Sequence, residues 1–204
     1  MARSTTKKAS EPRDREGAAL TRERVCREAL ALVDEEGLDA LSMRRLGARL
    51  GVEAMSLYHH VRDKADLLDA LHAAVLGALE PEAEAGARAS RPGVTWRALL
   101  AGLARALRSS LLRHPRLVPI LATHPVRAPE SIATLERVRA ALDEAGFLAA
   151  DAEHAISAVG VFTIGHVLSE TGSGPRAAAF RFGLEALLDG LAPHARPRPQ
   201  PAKR

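Results

Sequence analysis

The sequence predicts an all-α fold: an N-terminal three-helix unit containing a helix-turn-helix, then a larger helical domain, about nine helices in all. Three observations predict it. Apolar residues make up 47% of the 204 and aromatics only 3%, so the core is drawn from Leu, Ala and Val, a mixture that favours helices. Apolar side chains recur at spacings of three and four through most of the chain. Small polar residues or glycines stand at the ends of these periodic stretches, where helix caps belong.

Residues 1–19 are charged, aperiodic and expected to be a disordered arm. Thr21 then precedes a helix over 22–36 with Val25, Ala29, Leu32 and Val33 as its core stripe and Gly37 as its end. Its last turn carries Asp34, Glu35 and Glu36, which oppose the helix dipole and are expected to face away from any polyanion. Ser42 is placed to cap a second helix striped by Met43, Leu46 and Leu50, and Gly51 to close it in the left-handed conformation. A third segment, about 54–60, buries Leu57 and, with Val61, turns Ala54, Met55, Ser56, Tyr58, His59 and His60 outward. This is a helix-turn-helix whose polar, aromatic face is free to enter a major groove. An ordinary amphipathic corner with Tyr58 half in the core is the competing reading. Asp63 suits the N-cap of a fourth helix, 64 to about 79, striped by Leu67, Leu68, Leu71, Val75 and Leu79.

The Pro-, Gly- and Ala-rich stretch 80–93 reads as a linker. Thr95 caps a long helix with Trp96, Leu99, Leu100, Leu103, Leu107 and Leu111, ending before Pro115. Pro115, Pro119, Pro125 and Pro129 are expected to break the next stretch into short turns, lining a cavity or simply crossing the surface. An amphipathic helix over 130–145 (Ile132, Leu135, Val138, Leu142) is closed by Gly146. Asp151 is expected to cap the next helix, running to about 171, and Pro175 to open the last, ending near 191. The tail from Pro193 lacks core-forming residues. The division predicted is 1–19 arm, 20–65 helix-turn-helix domain, 66–192 larger helical domain (the ligand-binding and dimerisation domain on the family resemblance given below), 193–204 disordered tail.

A formal charge of +4 does not by itself indicate nucleic acid. Across 21–64 acids and bases balance, so placement must supply any affinity, and Arg44, Arg45, Arg49, Arg62 and Lys64 cluster around the turn. The one cysteine, Cys26, excludes an intrachain disulfide and fits a reducing compartment. No apolar run approaches the ~20 residues of a membrane span, and the N-terminus has no hydrophobic signal segment, so a cytoplasmic protein is expected. No Ser/His/Asp arrangement, metal-spaced cluster or phosphate-cradling glycine loop is present, so neither an enzyme nor a cofactor is expected. The helices about 152–171 and 175–191 are apolar nearly all round, which predicts a homodimer joined through them as a four-helix interface.

The chain resembles the tetracycline-repressor (TetR) family. Carrying the resemblance are the Glu-Gly-Leu end of the first helix, Ser-Met-Arg-Arg-Leu from Ser42, Leu-Gly-Val from Leu50, Leu-Tyr-His-His-Val from Leu57, and Lys64. Further on, HAISAVGVFTIGHVLSE from His154 and FRFGLEALLDGL from Phe180 are similar to the last two long helices of the tetracycline-binding subgroup. The resemblance implies a dimeric repressor released from a palindromic DNA operator by a small molecule. A dimeric scaffold, or an activator without ligand-released repression, is the alternative. It implies DNA contacts from Ser42, Met43, Arg44, Ala54, Met55, Ser56, Tyr58, His59, His60 and Lys64, with Arg44 suited to guanine and Ala54 and Met55 to thymine methyls.

It also implies an inducer pocket, and here the chain departs from the subgroup. Ile120 stands where tetracycline-binding members carry a magnesium-binding histidine, His124 where they carry arginine, and Val161 where they carry another histidine. An apolar wall cannot coordinate a hard cation. A largely apolar effector is therefore expected, without metal, among Leu103, Leu107, Leu117, Ile120, Leu121, Thr123, His124, Val161 and His166.

Overall fold

The computed structural model describes residues 19–77, 95–123, 127, 129–174 and 176–196. Among the described residues are nine α-helices and no strand: α1 (Arg22–Glu36), α2 (Met43–Leu50), α3 (Ala54–Leu57), α4 (Lys64–Gly77), α5 (Trp96–Arg113), α6 (Val118–Thr123), α7 (Pro129–Glu144), α8 (Ala149–Ser173) and α9 (Ala177–Leu191). The expected arm up to residue 18, the 80–93 linker, Leu79, His124, Pro125, Pro175 and the tail from residue 197 lie outside the described residues.

Four helices start on side-chain caps, three of them (Ser42, Asp63 and Thr95) as expected. The hydroxyls of Thr21, Ser42 and Thr95 accept from the N–H groups of Arg24, Arg45 and Ala98 at 3.2, 3.2 and 3.3 Å, and Asp63 Oδ1 accepts from Asp66 N–H at 2.8 Å. Each pairs an otherwise orphaned donor of a first turn. Asp151 does not cap α8: that helix begins two residues earlier, after Leu148, and Asp151 sits in its first turn, where its charge still complements the helix dipole. The proline-broken stretch is more regular than expected. A 3₁₀ turn over Pro115–Leu117 leads straight into α6, with Pro119 in the first turn, where a missing N–H is harmless. The segment after α9 is engaged as far as Arg196: Ala192–His194 forms a 3₁₀ turn, and the His194 ring stacks on Phe147 at 6.4 Å.

The buried residues form two clusters. One joins α1, α2, α3 and α4 (Val25, Leu32, Leu46, Leu57, Leu71) to the body through Leu107, Leu111, Leu117, Val118, Ile120 and Val167. The helix-turn-helix thus shares a core with the domain behind it, with α4 between them. Ser110 Oγ–H adds a buried bond to the Val75 carbonyl at 2.8 Å. The second cluster gathers Leu100, Ala104, Val138, Leu142, Phe147, Ala155, Val159, Phe180, Leu184 and Leu188. On α7, Ile132 departs from the expected stripe and is exposed.

Helices α8 and α9 divide their apolar surface. Val159, Val167, Phe180, Leu184 and Leu188 face the core, whereas Val161, Leu168 and Phe182 are 68%, 51% and 77% exposed. Burying one apolar side leaves a second one uncovered on a single chain.

Candidate functional site

The helix-turn-helix is assembled by two glycines. Gly51 takes the left-handed conformation at φ 72° and ends α2. Gly47 allows α3 to approach: a Cβ there would lie 2.8 Å from the Val52 carbonyl oxygen and 3.1 Å from Ala54 N. Leu57 and Val61 then anchor the third segment in the core, at 0% and 1% exposure.

The third helix is shorter than expected. It ends at Leu57, and Tyr58, His59 and His60 form a tight turn. At its end Tyr58 N–H bonds Met55 O (3.2 Å) and His60 N–H bonds Leu57 O (2.9 Å) at three-residue spacing, and Val61 N–H shares the Leu57 carbonyl at 3.0 Å. This turn brings Val61 inward before Asp63 begins α4. The outward set survives the change: Met55 is 71% and Tyr58 45% exposed, His59 is exposed, and Ala54, Ser56 and His60 are partly so. Tyr58 itself is about half covered, so its ring is shared between the packing of the corner and the outer face. Ser42, Arg44 and Lys64 are exposed on the flanks, and Met43 is half-buried against the head core.

The basic cluster around the turn is smaller than its sequence suggests. Arg45 pairs with Glu36, and Arg49 with Glu28 (3.1 Å) and Glu35 (2.6 Å). The acids at the end of α1 do not simply turn away; they hold two arginines of α2. The Glu35 bond raises the Arg49 pKa and the Arg49 bond lowers that of Glu35. Arg44 and Lys64 have no such partner among the described residues, and Arg62 is 84% exposed in its side chain with Asp66 3.7 Å away. Three exposed cations therefore flank the outward aromatic and imidazole groups, a set that can meet phosphates and base edges together.

A carboxylate that the sequence reading passed over lies beneath this surface. Asp66 is 8% exposed and accepts from both terminal nitrogens of Arg22 at 2.9 Å and from the Arg62 N–H at 2.9 Å. Donation by Arg22 holds its pKa well below the usual carboxylate range against the opposing effect of burial. Arg22 also donates to the His60 carbonyl at 2.8 Å. The signal was legible as Asp63-x-x-Asp66, a cap with an acid in the first turn, and as an arginine directly after the Thr21 cap.

In the body, Leu107, Leu117 and Ile120 are buried in the cluster that reaches the head, with Leu103 and Leu121 partly buried against it. Leu103 also touches the second cluster. Thr123 is exposed and its hydroxyl donates to the Pro119 carbonyl at 2.7 Å. His166 packs against Phe162 and Phe180, with Nε2 3.3 Å from Glu170 Oε1. Glu170, 1% exposed in its side chain, accepts from Arg108 at 2.8 Å and from the Arg176 N–H at 2.7 Å. Burial raises its pKa, but these two donors outweigh it and the net shift is downward. Val161 departs from the expected pocket: its exposed place on α8 turns it away from the interior. Burial raises the Cys26 thiol pKa, as fits a half-buried cysteine beside the head core.

Residues 26–71 match a family described as "Bacterial regulatory proteins, tetR family", and residues 89–179 match "Tetracyclin repressor-like, C-terminal domain". The tetracycline repressor protein class A from transposon 1721 of Escherichia coli is 36% identical over 197 residues, covering 82% of this chain and 88% of that protein. An HTH-type transcriptional regulator of Saccharopolyspora erythraea is 37% identical over 79% of this chain, which spans 65% of that regulator's length. The crystal structure of BioQ with its double-stranded DNA operator superposes with a TM-score of 0.63 at 28% identity, covering 86% of this chain and 100% of that one. No described helix is long and apolar enough to cross a membrane.

Proposed function

The chain belongs to the tetracycline-repressor family of bacterial transcriptional regulators, and from that premise we propose that it is a homodimeric repressor that leaves a palindromic operator when a small, largely apolar effector binds. The observation that carries the reading is the exposed, turn-held set Met55, Tyr58 and His59, flanked by exposed Arg44 and Lys64. In this reading Arg44 takes a guanine edge, Ala54 and Met55 pack on thymine methyls, and Ser42, Met43, Ser56, Tyr58, His59, His60 and Lys64 complete the contact with bases and backbone. The protein's work is then binding, not catalysis, and it is done in the cytoplasm, where the DNA is.

One such surface touches too few bases for strong discrimination. Two copies are supplied by pairing α8 and α9 across a two-fold axis, which covers Val161, Leu168 and Phe182. Val161 is assigned to that contact instead of the effector site. The effector site is assigned to the body, among Leu103, Leu107, Leu117, Ile120, Leu121, Thr123, His124 and His166. Because α4 shares a core with α5 and α6, an effector that changes how those helices pack tilts α4 and with it the reading head.

A gel shift with the intergenic DNA flanking its own gene tests this. A band that forms at low salt, and that Tyr58→Ala weakens by about tenfold or more, is the expected outcome. No shift with any neighbouring fragment contradicts it.

A further inference from the structure

We propose that Asp66, acting through Arg22, is a positioning residue for sequence reading: it fixes the 58–60 turn against α1 and α4 without itself meeting DNA. The proposal rests on the DNA-binding reading above and adds where its selectivity comes from. One buried carboxylate receives the two terminal nitrogens of Arg22 and the N–H of Arg62, each at 2.9 Å. The same guanidinium holds the His60 carbonyl at 2.8 Å. The start of α1, the turn that carries Tyr58 and His59, and the first turn of α4 are thereby tied at one point.

The surface needs such a tie. Helix α3 has four residues and no side-chain cap, so little of its own structure sets the direction of the turn that follows. Tyr58 and His59 point outward, and no side-chain bond holds either of them among the described residues. An arginine–carboxylate fork fixes direction as well as distance, which neither an ammonium nor a neutral amide reproduces. Base-edge hydrogen bonds depend steeply on that direction, whereas contacts of flexible cations with phosphates do not. Loosening the fork should therefore cost selectivity and leave general affinity for DNA in place.

The test uses the full-length protein and two duplexes of equal length, one that the wild type selects from a random pool and one of scrambled sequence. Asp66→Asn and Arg22→Lys are each expected to weaken binding to the selected duplex by about tenfold. Affinity for the scrambled duplex should stay within about twofold, with an unchanged salt slope. The double variant should be no weaker than the weaker single one, since both remove the same tie. Arg22→Lys keeps the charge and decides the matter alone should Asp66→Asn fail to fold. Selected-duplex binding within about twofold of wild type in both variants would overturn the proposal, as would equal losses on both duplexes, the mark of a merely structural role. A wild type that selects no duplex at all overturns the DNA-binding reading along with it.

Discussion

Oδ2 of Asp34, near the end of α1, stands 2.8 Å from Nδ1 of His114 at the end of α5, joining two residues 80 positions apart across the seam between head and body. Leu117 and Val118 enter the head core just beyond His114. The pair therefore bridges body and head close to where the two share a core.

The other Asp34 oxygen is buried and has no partner among the described residues. His114→Ala strips the carboxylate of the bond it does make, and should cost about 1–3 kcal/mol in urea unfolding. Asp34→Ala combined with His114→Ala should recover part of that loss, because no stranded acceptor remains. A double variant as unstable as the sum of the two singles would show that the bond contributes nothing.

Gly47→Ala should be worse than Gly51→Ala, although only Gly51 has a positive φ. At Gly51 the cost is one left-handed alanine with open space around it, about 1–2 kcal/mol. At Gly47 the new methyl meets backbone that cannot swing aside, so α2 and α3 must part. Thermal melts should rank the two, and DNA binding should fail in Gly47→Ala even where the melt shows a folded protein.

The Asp66 clamp also sets an acid dependence. Its folded-state pKa is depressed below the unfolded value, so its stabilisation is complete above about pH 5 and is lost progressively as the pH falls through the unfolded value toward the folded one. The stability gap between wild type and Asp66→Asn, followed by chemical unfolding, should be constant from neutral pH to about 5 and narrow below 4. A gap that widens with acid would contradict the assignment.

Much of this was legible before any coordinates. Thr21, Ser42, Asp63 and Thr95 cap as their residue types require, and Val25, Ala29, Leu32 and Val33 are buried as their spacing demands. What stayed hidden depends on neighbours remote in sequence. Nothing within α2 says that Arg45 and Arg49 are held by acids of α1 while Arg44 is left out. The end of α3 at Leu57 follows from the inward demand of Val61, which a local helical period cannot report. His194 reads as tail until Phe147 and Asp151 are placed beside it, with its Nδ1 3.2 Å from the carboxylate.

Phe182 is 77% exposed on a single chain and is assigned to the subunit contact. Phe182→Glu should yield monomers by sedimentation at micromolar concentration and weaken binding to a palindromic duplex by about two orders of magnitude, while a single half-site is affected little. An unchanged sedimentation coefficient would remove α9 from the interface.

Selection from a random duplex pool by the purified wild-type protein tests the central claim most directly, because it asks whether residues 54–60 read DNA twice per assembly. The account predicts enrichment of an inverted repeat whose half-sites lie on the order of one helical turn apart, roughly 34–36 Å, and loss of that enrichment in Tyr58→Ala. A retained pool no different from the input at low salt, or one enriched equally well by Tyr58→Ala, would contradict it.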